Sequence, residues 1–270
     1  MFLQRALITF TIGPLVLYLI YLGGWFYFIP VTAILLLATY EYVHLLRLHN
    51  WNLSLWIVGT AVLLLLVISQ WFNQLYLAPA LLIGSLAAMA YTLVLYERRQ
   101  SQTSLADWMA MMSGILLVGW LGGHFFLLRR VETTPWQWTM LAMLSTWIAD
   151  SGAYVVGKFL AGKILGRHKL SPRLSPNKTV EGYVGGIFFG VLLTLAIAKY
   201  LSLPLHLALF IALFASVLSP LGDLGISMIK REVGVKDSGT LFPGHGGALD
   251  RIDSLVWSVA AAYYFVTLLS

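Results

Sequence analysis

The chain has 270 residues, of which 59% are hydrophobic and only 10% charged. A soluble domain carries about a quarter charged residues, so these figures, with a mean hydropathy of +0.83, exclude a water-soluble globule. The formal charge of +6 comes from 17 Lys/Arg against 11 Asp/Glu, and the absence of cysteine excludes disulfides and thiolate metal sites.

A helix needs about 20 apolar residues to cross a bilayer. Runs of that kind occur at 3–22, 25–46, 53–70, 75–96, 105–128, 136–157, 180–201, 204–222 and 250–269. The strict alternation of a membrane barrel is absent, so helices are the only way to satisfy the backbone in lipid. The expected fold class is all-α, a polytopic integral membrane protein with about nine transmembrane helices. The first run contains the single cation Arg5 and lacks a small-x-small cleavage site, which predicts a retained helix rather than a signal peptide. Trp25, Trp51, Trp71, Trp136 and Trp138 fall near run ends, where indole rings anchor at the interface. With the N-terminus inside, the connecting loops place all but three of the 17 Lys/Arg on the cytoplasmic side, leaving Arg129, Arg130 and Lys199 outside.

Residues 1–135 read as an N-terminal transmembrane bundle with short connections, and 136–270 as a catalytic region with cytoplasmic loops 158–179 and 223–250. Positions 158–178 hold six Lys/Arg and no acid, and Gly162, Gly166, Pro172 and Pro176 there predict an irregular loop. Touching anionic lipid is the plain reading of that loop, but Lys178 leads straight into an apolar helix starting near Glu181, a setting that suits phosphate. Gly152 to Phe159 imitates a P-loop, but it lacks the Ser/Thr after Lys158 and follows no strand, so the likeness is rejected. Asp150 lies inside an apolar helix, where a carboxylate is costly unless paired or wetted. Glu41 and Asp107, nearer helix termini, are expected to reach water.

Five of the eleven acids fall within 223–253: Asp223, Glu232, Asp237, Asp250 and Asp253, among Lys230, Arg231, Lys236, His245 and Arg251. Asp223 closes one predicted helix and Asp250 opens the next. Two such carboxylates can hold a hard cation shared with substrate phosphates. Pro243-Gly244-His245-Gly246-Gly247 is a turn whose glycines allow phosphate oxygens to approach the backbone.

The run Ser227-Met228-Ile229-Lys230-Arg231, then Lys236-Asp237-Ser238-Gly239, then Pro243 through Asp253 resembles the signature of the phosphatidate cytidylyltransferases, or CDP-diacylglycerol synthases. Asp150-Ser151-Gly152-Ala153-Tyr154 and Ser175 through Gly182 resemble further motifs of that family, in the same order. Ala248 and Val180 depart from it, standing where a larger aliphatic residue and an aromatic one are usual. The resemblance implies CMP transfer from CTP to phosphatidate in phospholipid biosynthesis, with pyrophosphate released. It implies Mg²⁺ on Asp223 and Asp250, with room for a second cation. Lys178, Lys230, Arg231, Lys236 and Arg251 become phosphate contacts, while Asp150, Asp237, His245, Gly246, Gly247 and Asp253 complete the candidate site. The expected partners are CTP, phosphatidate and the bilayer, with no nucleic acid; a homodimer is compatible. The expected location is a bacterial plasma (inner) membrane, with the active site facing the cytoplasm. The alternatives are another CTP-dependent membrane transferase (a polyprenol or phytol kinase, or a CDP-archaeol synthase) and, from a different class, a secondary transporter.

Overall fold

The computed structural model describes residues 13–239 and 246–269. Its helices are α1 Gly13–Leu22, α2 Gly24–Leu48, α3 Leu55–Trp71, α4 Leu77–Glu97, α5 Ser104–Leu128, α6 Pro135–Val155, α7 Val180–Tyr200, α8 Leu205–Glu232, α9 Leu249–Ile252 and α10 Leu255–Leu268. Among the described residues five helices are long and apolar enough to cross a bilayer: α2, α5, α7, α8, and α4 with the 3₁₀ turn that precedes it. α1 and α3 are shorter apolar helices. The chain is an all-α polytopic membrane protein, and each predicted apolar run carries a helix in its described part.

The chain forms two compact units. One contains the residues up to Leu127 together with Ile229–Ile252; the other contains Leu128–Met228 and the residues from Asp253 onward. The segment around Asp250 is therefore grouped with the N-terminal helices.

In the first unit α3 packs against α2, α4 and the middle of α5. Its buried stripe of Val58, Val62, Leu65 and Leu66 is apolar throughout, as a helix enclosed by neighbours requires. Near one end the Trp71 ring lies 4.4 Å from Trp25 and 4.2 Å from Phe28. Trp25 and Trp71 keep exposed faces, as interfacial anchors should. Within α5, Ile115–Trp120 widens into a π-helical turn. Asp107 fastens the start of α5. It accepts from Ser101 Oγ at 2.5 Å, Thr103 Oγ1 at 3.1 Å and the Asn52 N–H at 2.9 Å. It is fully buried, contrary to the expectation that it reaches water. Hydroxyls from its own helix start have replaced solvent.

In the second unit α6 packs along α7, and α10 packs against α6. A Cβ on Gly186 would stand 2.8 Å from the carbonyl oxygen of Ala149, so the two backbones approach as small residues in membranes allow. Trp138 is 2% exposed and belongs to this core rather than to an interfacial belt. Before α7 the chain is more regular than its glycines and prolines suggest. After a π-helical turn at Val156–Leu160, β1 Lys169–Ser171 pairs antiparallel with β2 Ser175–Thr179. Both prolines are compatible with this ribbon: Pro172 lies in the turn, and a two-stranded sheet consists only of edges, where Pro176 needs no ladder N–H. Thr179 then caps α7, its hydroxyl accepting the Gly182 N–H at 3.1 Å.

Candidate active site

Asp250 sits in the short helix α9, its side chain 8% exposed. Lys230, near the end of α8, donates to its Oδ1 at 2.6 Å. On Oδ2 converge the Ser238 N–H, the Gly247 N–H and the Ser238 hydroxyl, each at 3.0 Å. Burial alone would raise the Asp250 pKa. The Lys230 ammonium and the two backbone N–H groups outweigh it and hold the carboxyl below the usual aspartate range. Gly246 has φ +80°, a left-handed conformation natural to glycine, and a Cβ there would overlap the Asp250 carboxylate. One carboxylate, one ammonium and two backbone N–H groups are thus gathered around Asp250.

Sequence reasoning passed over Glu41. It lies on α2 and is 8% exposed, again contrary to the expectation of water contact. Its Oε2 accepts from Ser238 Oγ at 2.7 Å and the Leu249 N–H at 2.9 Å, and its Oε1 from the Ala248 N–H at 2.9 Å. The signal was present: a carboxylate inside an apolar helix demands partners. Those partners are mainly backbone groups about 200 residues away, which no motif announces.

In the second unit Lys178, on β2, and Asp223, on α8, form an ion pair at 2.5 Å with both side chains partly exposed. Ser227 donates to the other Asp223 oxygen at 3.2 Å. The expected phosphate-binding lysine and the expected metal-binding aspartate therefore meet. Nearby in the chain, His168 Nδ1 contacts Glu181 Oε1 at 2.6 Å, and the His168 N–H donates to both Glu181 oxygens at 3.1 Å. Asp253 accepts the N–H of Ser254 at 2.6 Å through Oδ1.

Other expected site residues are placed less specifically. Arg231, Lys236, Asp237 and Arg251 are exposed, Arg231 donating to the Val235 carbonyl at 3.0 Å. Asp150 lies on an exposed part of α6. His245 falls outside the described residues.

Among the described residues no three His, Asp or Glu side chains converge as a protein-only metal cage. Mg²⁺ characteristically needs no such cage, since one or two carboxylates, water and substrate phosphates complete its shell. Asp223 and Asp250 supply oxygen donors of that kind. A lysine ammonium stands on one oxygen of each, and carboxylate oxygen is the donor type that Mg²⁺ takes.

Residues 3–269 match the profile described as the cytidylyltransferase family. A phosphatidate cytidylyltransferase of Synechocystis is 32% identical over 98% of this chain and 97% of its own length. The protein of that name from Brucella suis is 34% identical over 97% and 93% respectively. A third, from Staphylococcus saprophyticus, is 34% identical over 85% and 90%.

Proposed function

The chain belongs to the cytidylyltransferase family, and from that membership we propose that it transfers CMP from CTP to phosphatidate, releasing pyrophosphate and forming CDP-diacylglycerol. It is a membrane enzyme of the nucleotidyltransferase class. The structural observation that supports the reading is that Asp223 and Asp250, the acids proposed for the reaction, each hold a lysine ammonium on a carboxylate oxygen.

In the proposed reaction a phosphatidate oxygen forms a bond to the α-phosphorus of CTP as the bond from that phosphorus to the α–β bridging oxygen breaks. The electron pair leaves with pyrophosphate. The second ionisation of a phosphate monoester lies near pH ~6, so the attacking oxygen is already largely deprotonated at neutrality and needs no strong base. The residues' work is therefore positioning and charge. Asp223 and Asp250 are the residues proposed to hold Mg²⁺, which when bound would neutralise developing charge on the phosphates. Lys178, Lys230, Arg231, Lys236 and Arg251 supply positive charge for the nucleotide and lipid phosphates, Lys178 and Lys230 from fixed positions and the exposed cations as solvent-facing contacts. Gly246 and Gly247 line the acid with backbone. The exposed cationic stretch at 158–178 supports a cytoplasmic active site at a bacterial plasma membrane.

The test follows labelled CTP into lipid with purified protein, phosphatidate and Mg²⁺ in detergent. The wild-type chain should form labelled lipid and pyrophosphate. Asp223→Asn and Asp250→Asn should each lose at least ~10²-fold in turnover, the scale of removing one electrostatic group from a reacting centre, while remaining folded. Near-normal turnover in both variants would overturn the assignment of these acids.

A further inference from the structure

We infer that Glu41 is a positioning residue for the reaction, setting the Asp250 carboxylate by gripping the backbone that surrounds it. The inference rests on Asp250 being a working acid of CMP transfer.

Glu41 touches residues on both sides of the 240–245 stretch: Ser238 before it, Ala248 and Leu249 after it. The same two flanks supply the donors of Asp250, through the N–H groups of Ser238 and Gly247. Ser238 belongs to both sets. Its hydroxyl has one proton and two carboxylate neighbours, Glu41 Oε2 at 2.7 Å and Asp250 Oδ2 at 3.0 Å. The shorter contact takes the O–H, while the Ser238 N–H serves Asp250 at 3.0 Å. A side-chain carbon on Gly239 or on Gly247 would overlap the Glu41 carboxylate, so these two glycines lie directly against it. One carboxylate on α2 thus fixes both ends of the backbone that aims the second carboxylate.

Glu41 is buried, and its contacts differ in kind from those of Asp250: a hydroxyl and two backbone N–H groups, where Asp250 also carries the Lys230 ammonium. The influence of Glu41 passes through Ser238 and the backbone to Asp250, where a displacement of about 1 Å can cost ~10² in rate.

Glu41→Gln retains shape but turns an NH₂ group toward a donor. The expected result is a fall in kcat of ~10–100-fold with the KM for CTP changed less than about 3-fold, the pattern of lost alignment rather than lost binding. Ser238→Ala should lower kcat in the same way, and the double variant should lose no more than Glu41→Gln alone, because the two residues act along one chain of contacts. Asp107→Asn, an equivalent change at a buried acid of the same unit, should lower thermal stability with kcat unchanged. A wild-type kcat in Glu41→Gln overturns the inference, as do losses that multiply in the double variant or appear chiefly in KM. If Glu41→Gln does not fold, a wild-type kcat in Ser238→Ala overturns it instead. Failure of the underlying reading looks different: the unmodified chain would form no CDP-lipid, or Asp250→Asn would be fully active.

Discussion

Glu41 and Asp107 are buried acids of the same unit, and the difference between them lies in what each one holds. Asp107 gathers Ser101, Thr103 and the Asn52 N–H, all close to its own helix start. Asp107→Asn should therefore destabilise the protein by about 1–3 kcal/mol, the range for weakening hydrogen bonds to a buried charged group. Thermal unfolding in detergent measures this, and activity per folded molecule should be unchanged. The candidate site was only partly legible at this scale. Asp223, Asp250 and Lys178 stood out by their places at predicted helix ends and Lys230 through the family resemblance, and the structure joins them as Lys178 with Asp223 and Lys230 with Asp250. Glu41 did not stand out, because backbone N–H groups, its principal partners, are present at every non-proline position and leave no trace in a sequence.

Among the elements, hydropathy located the helices because lipid leaves a backbone few other choices. It could not reveal the hairpin of β1 and β2, whose polar, proline-bearing residues read as loop, nor the π-helical turn inside α5. The contact of α6 with α7 offers a sharp test of close packing. Gly186→Ala would push a Cβ against the Ala149 carbonyl, and a backbone atom cannot swing aside as a flexible side chain can. The expected cost is about 1–3 kcal/mol. Gly59→Ala in α3, where an added Cβ meets nothing within 4 Å, should be neutral or slightly stabilising because alanine favours the helix. Comparing the two unfolding midpoints separates packing from propensity.

For the whole molecule the net charge has a location. The six Lys/Arg of 158–178 account for the entire +6, and the rest of the chain balances at eleven against eleven. All six are exposed except the partly buried Lys178. The positive-inside rule predicts the cytoplasmic face for them, and a chain without cysteine makes that orientation easy to test. A single cysteine replacing Lys163 should react with an impermeant maleimide only in inside-out vesicles, and one replacing Glu132 only in right-side-out vesicles. Labelling of both from one side would refute the topology. What sequence order concealed is the return of Ile229–Ile252 to the N-terminal unit, since local patterns cannot announce a contact spanning 197 residues such as Ser238 with Glu41. The contact between α6 and α7 has a consequence for the lipid as well. Where a single methyl group cannot fit between Gly186 and the Ala149 carbonyl, an acyl tail cannot slide through. At this level the α6–α7 seam is closed to anything as wide as a methylene chain.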